Sequence, residues 1–104
     1  MHISTDTNED SSIWINFNTI GKWHYSPLPL ELFEKENNCV VLSNYEAEMF
    51  RSAKLRLGDV EFELIHDDLF GNKISTCNPN DVSTLERLAM NIAECIANLD
   101  AKKR

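Results

Sequence analysis

The chain has little to punctuate or cross-link it: among 104 residues only three are glycine, three proline and three cysteine. So few glycines leave no glycine-rich loop to cradle a phosphate, and no serine sits in a G-x-S-x-G elbow. Cys39, Cys77 and Cys95 are odd in number and far apart, with no C-x-x-C pair, so they offer neither a zinc nor a redox motif. They read as reduced thiols, with Cys95 a small core residue on an apolar helix face. The opening residues Met1 to Asp10 hold three acids and no apolar run, which fits neither a signal peptide nor a membrane anchor. The chain is therefore expected to be cytoplasmic and a single domain over 1–104, with residues 1–11 a disordered tail. Bases are scarce as well, ten Lys and Arg against seventeen Asp and Glu. Trp14, Phe17, Trp23 and Tyr25 could stack bases, but with only Lys22 among them direct nucleic-acid binding is not expected. Those aromatics are expected in the core, and any left exposed would be an interface anchor.

What the chain does have is negative charge in one place. The stretch from Glu31 to Asp68 holds ten acids and four bases, and so carries -6 of a formal net charge of -7. Such a patch repels phosphate and attracts cationic surfaces, which points to a basic protein as partner. A solvated acidic face that keeps a small domain soluble is the plainer reading of the same charge.

The clearest local structure is a hairpin from Ala53 to Leu64, turning at Gly58-Asp59, where glycine accepts a positive φ. This register pairs Leu57 with Val60, Arg56 with Glu61, Leu55 with Phe62, Lys54 with Glu63 and Ala53 with Leu64. It gathers the apolar residues on one face and opposes unlike charges on the other. Tyr45, Ala47 and Met49 share the parity of Ala53, which predicts one long strand with a bulge near Phe50 and Arg51; a short helix capped by Ser43 is the alternative. Ile13 to Asn18 alternates as a strand, Cys39 to Leu42 reads as a buried strand, and Lys73 to Cys77 as another after a turn over Leu69 to Asn72. Pro27 and Pro29 precede a short helix near 29–36 with Leu30 and Phe33 inward. Asn78 caps a long C-terminal helix with Pro79 at its first position. Its stripe runs through Val82, Leu85, Leu88, Ala89, Ile92, Ile96 and Leu99, and Lys102, Lys103 and Arg104 sit at the favoured end of its dipole. The fold class is thus α+β: a twisted antiparallel sheet of four to five strands with the long helix on one face.

His66-Asp67-Asp68 is the one local cluster with the look of chemistry, as a metal site or a general base held by carboxylates. The competing reading is a strand end and polar turn, since adjacent strand residues point to opposite faces. No metal, no cofactor and no catalytic residue is expected.

The run from Phe62 to Ile74, with its D-D-x-x-G-N turn at Asp67, Asp68, Gly71 and Asn72, and the helix from Asn78 to Lys103 resemble the carboxyl half of small bacterial immunity proteins from contact-dependent growth inhibition and other polymorphic toxin systems. The resemblance implies a cytoplasmic antitoxin, a monomer in a one-to-one complex with a cognate toxin domain such as a nuclease, and not an enzyme. From charge, the partner-binding residues are expected to be Glu34, Glu36, Glu46, Glu48, Asp67 and Asp68. Glu61 and Glu63 are set aside as cross-strand partners of Arg56 and Lys54. A small acidic secretion chaperone, commonly dimeric, is the alternative function, and a metal-dependent enzyme using His66, Asp67 and Asp68 the third.

Overall fold

The computed structural model describes residues 2–18 and 22–102. Six strands form one antiparallel sheet: β1 (His2–Thr7), β2 (Ile13–Asn18), β3 (Val40–Ala47), β4 (Phe50–Leu57), β5 (Val60–Asp67) and β6 (Gly71–Thr76). Their order in space is β1-β2-β6-β5-β4-β3, so β1 and β3 are the edges. Two short helices, α1 (Lys22–Tyr25) and α2 (Leu30–Asn37), link β2 to β3, and α3 (Val82–Lys102) closes the chain. No described helix is long and apolar enough to cross a membrane.

The β4–β5 hairpin has the predicted register at all five positions, and Gly58 has φ +60°. Strand alternation then sorts the side chains. Ile13, Ile15 and Phe17 from β2, Ala53 and Leu55 from β4, Phe62 and Leu64 from β5 and Ile74 from β6 all point to one buried face. Two helices cover it. α3 lies over β1, β2 and β6 and buries Leu85, Leu88, Ala89, Ile92 and Ile96, while α2 lies beside it towards β3 with Leu32 and Phe33 buried. Leu30 is only part-buried. The rings of Phe33 and Phe62 meet at 6.3 Å between centroids. Leu99, at the far end of the stripe, is exposed, and Cys95 packs against the core from its margin.

Several expectations are corrected. The sheet has six strands, not four to five, because residues 2–7 add an edge strand. Residues 2–7 are not a disordered tail: β1 pairs with β2 along its whole length, and Thr5 Oγ1 donates to Glu86 on α3 at 2.6 Å. Between them, Ser12 donates its N–H and its hydroxyl to Asp10 Oδ1, which holds that carboxyl below the ordinary aspartate range, the hydroxyl contributing most. The long strand with a bulge near Phe50 is instead two strands, β3 and β4, joined by a tight turn at Glu48-Met49, and no helix forms there. The bulge lies at Leu42, between Val41 and Ser43. The expected buried strand Cys39 to Leu42 is the start of the edge strand. Cys39 is buried and Val41 packs against the core, but Val40, opposite Arg56, lies on the uncovered face and Leu42 sits in the bulge, so both are exposed. The turn before β6 spans Asp68 to Phe70, so Gly71 and Asn72 belong to the strand. Asn78 caps a 3₁₀ turn, Pro79–Asp81, which leads into α3, and its side chain accepts the Asn80 N–H at 3.0 Å. Lys103 and Arg104 lie outside the described residues, so the reading of their charge at the helix end does too.

Candidate protein-binding surface

One end of the sheet differs from the rest. Cross-strand pairing places Glu46 opposite Arg51, Arg51 opposite His66, and His66 opposite Asn72, a polar row across four strands on the helix-covered face. Arg51, His66 and Asn72 are all buried, His66 and Asn72 to 1% exposure. Burying polar groups is costly unless they are paired, and Asn72 and Arg51 find partners in the chain that crosses above. Asn72 Oδ1 accepts the Leu28 N–H at 3.0 Å, and its Nδ2 donates to the Trp23 and Ser26 carbonyls at 2.9 and 3.0 Å. The Arg51 guanidinium donates to the Leu28 carbonyl through Nη2. Residues 23–28 are in this way pinned over the end of the sheet, and Leu28 is driven into the core.

His66 Nε2 lies 3.2 Å from Asp68 Oδ1, while Asp67 turns to the other face and accepts the Leu69 N–H at 2.7 Å. The three residues do not converge on one point, because strand alternation separates them. Among the described residues no group of three or more His, Cys, Asp and Glu side chains could hold a metal ion. Asp67 and Asp68 are each engaged within the turn.

Around this end the surface is apolar. Tyr25, Met49, Leu69 and Phe70 are between 65% and 77% exposed, and Tyr45 and Phe50 stand beside them with ring centroids 6.5 Å apart. The turns that carry them touch, since Asp68 donates its N–H to the Met49 carbonyl at 3.3 Å. Below Phe70, on the uncovered face, Lys73 is held against the Trp14 ring at 3.6 Å from its centroid and 5.9 Å from that of Phe70. Burial lowers the affinity of Lys73 for its proton, and Asp67 partly restores it. Burial acts on Arg51 in the same sense, opposed by Glu46.

The six acids expected to bind a partner divide. Glu46, Glu48, Asp67 and Asp68 gather at this end, around the apolar residues. Glu34 and Glu36 lie on α2, and Glu36 sits with Asn38, Leu57 and Arg87 at the opposite end of the sheet, so a single surface of all six does not form. Asp67 and Asp68 are also less free than their charge suggested, each being hydrogen-bonded within its own turn. Glu61 and Glu63 do stand opposite Arg56 and Lys54, but neither pair closes to an ion pair within 4 Å, and Glu63 is 3.5 Å from the Ser52 hydroxyl.

Of the four aromatics weighed as anchors, Phe17 is core, Trp14 and Trp23 are half-buried and Tyr25 is exposed. The larger apolar group is at Met49, Phe50, Leu69 and Phe70, none of them among the expected anchors. Its signal was two bulky residues, Leu69-Phe70, inside a turn, where no core can receive them.

No family model, curated protein or solved structure matches this chain. An exposed cluster of large apolar side chains with a charged rim is the anatomy of a protein interface, with aromatics and Met at the centre and charge depleted there.

Proposed function

We propose that this chain is an immunity protein that binds a cognate toxin domain, such as a nuclease, one to one and blocks its basic active-site surface. The observation that carries the reading is the apolar group of Tyr25, Met49, Leu69 and Phe70, bordered by Glu46, Glu48, Asp67 and Asp68. The net charge of -7 and the resemblance of residues 62–103 to immunity proteins point the same way. In this mechanism the acids accelerate encounter with Lys and Arg of the toxin groove, and the exposed rings and Met49 supply the contact area that holds the complex. Inhibition by occupancy requires no cofactor and no bond chemistry.

The test is to express the open reading frame immediately upstream with and without this chain. Relief of growth arrest and a one-to-one complex on light scattering are expected. Association should slow steeply with added salt, and reversal of Glu46 and Glu48 should slow it further, whereas Phe70→Ala should speed dissociation at a cost of about 1–2 kcal/mol in affinity. An upstream product that arrests growth equally with this chain present would sink the reading.

A further inference from the structure

The two edges of the sheet are not alike. β1 is polar apart from Ile3 and is tied to α3 through Thr5 and Glu86, whereas seven of the eight residues of β3 are exposed, Val40, Leu42 and Tyr45 among them. Only β4 flanks β3, so alternate backbone N–H and C=O groups point away from the sheet, and no hydrogen bond among the described residues takes them up. Past the bulge at Leu42, residues 43–47 keep an unbroken register with β4.

The surroundings of that edge define what fits it. On the open face Ser43, Tyr45 and Ala47 stand in the rows of Lys54, Ser52 and Phe50, so the side chains beside an added strand are small or apolar. On the helix-covered face the edge is acidic. Glu46 is exposed there opposite Arg51, whose guanidinium is buried and committed to the Leu28 carbonyl. Glu34, also exposed, joins it from above. Leu32 and Glu36 line the groove between α2 and α3 and Phe33 packs on Phe62, so at about 100° per residue Glu34 falls on the flank of α2 turned away from α3, towards the open edge. Lys35, the one base of α2, falls on its solvent side. Two copies paired edge to edge would bring Glu34 and Glu46 of each to one seam, like charge against like, which disfavours a homodimer.

We infer that β3 is the docking edge for an extended segment of a different protein, which adds as a seventh strand with Lys or Arg alternating towards Glu34 and Glu46 and apolar side chains towards Tyr45 and Ala47. Main-chain hydrogen bonds hold such a strand, and the alternation of its side chains selects it. The inference rests on the reading of a basic protein partner and names the part of that partner which is bound. Because β3 runs into the turn at Met49, the edge is continuous with the exposed apolar group.

An acetylated and amidated octapeptide of alternating lysine and valine tests it by amide nuclear magnetic resonance. The peptide should shift the amides of residues 43–47 saturably and slow their exchange with solvent, leaving those of α3 in place. Peptides with the lysines in one block, or N-methylated at every residue, should bind several-fold more weakly, and alternating glutamate and valine should not bind. Glu34→Gln combined with Glu46→Gln, both at exposed positions, should weaken capture several-fold with the fold intact. Silent β3 amides, or equal binding of the N-methylated peptide, would overturn the inference, as would a dimer of the chain alone closed through β3. Neutralisation of the upstream product with β3 amides still exchanging freely would sink the edge and spare the toxin reading; capture of the peptide by a chain that neutralises nothing upstream would do the reverse.

Discussion

The two ends of β4 finish in tight turns that make the same backbone demand and meet it with opposite chemistry. At one end Gly58 takes φ +60° with no atom near its missing Cβ, and around it Leu57 and Val60 close over the core. At the other, Met49 takes φ +65°, a conformation that a bulky residue adopts only under constraint. Its side chain lies in solvent beside Phe50, Leu69 and Phe70, above buried nitrogens without partners. The first end is organised for stability. The second keeps strain and apolar exposure, features that collect where a protein meets something else.

The largest effects should come from the shared core. Leu64→Ala, at a fully buried position, should lower the unfolding free energy by about 2–5 kcal/mol in denaturant titration. Next comes the polar row. Asn72→Ala removes three hydrogen bonds to residues 23–28 and leaves the Leu28 N–H unpaired, a loss of about 2–3 kcal/mol, with hydrogen exchange speeding up first at those amides.

Cys39, at the Gly58 end, is a quieter probe of that end's dryness. Burial pushes its thiol up to about 11 from 9.0, so the folded state keeps a proton that the unfolded chain releases. This contribution is intact below pH 9.0 and is lost as pH rises to about 11. By the upper limit the loss should reach about 2 kcal/mol, and Cys39→Ala should flatten that part of the stability profile.

Exchanging the turn chemistry sharpens the contrast. Gly58→Ala should destabilise by about 1 kcal/mol and Met49→Gly should stabilise by a similar amount, since each alters the left-handed cost at one turn. Least of all, Leu69→Ser and Phe70→Ser should change stability by less than about 0.5 kcal/mol, although the proposed partner should feel both. A large stability loss from either would place these residues in the fold rather than at an interface.

Much of the fold was legible because its signals are short-range. The Gly58 hairpin, the alternation of Ile13 to Asn18 and the stripe from Leu85 to Ile96 each sit within a window where period and turn residues agree. β1 escaped because Ile3 is the only large apolar residue in His2–Thr7, so the strand shows no alternation and buries little. The Met49 turn escaped because it contains no glycine, proline or asparagine, so two strands read as one. The candidate surface was legible in its charge at Glu46, Glu48, Asp67 and Asp68, but not in its apolar centre.

By itself the sequence determined the strands β2, β5 and β6 and the helix α3, the register of β4 against β5, and which face of each is apolar, because these depend on neighbours a few residues apart. Only the tertiary structure decided that Arg51, His66 and Asn72 share a buried row and that Glu36 parts from Glu46. It likewise decided that Tyr25 meets Met49 and Phe50 around one cavity. Those relations join strands and loops distant in sequence, and they are set by how β3 and β6 flank the central hairpin and by the chain from Trp23 to Leu28 that is pinned across its end.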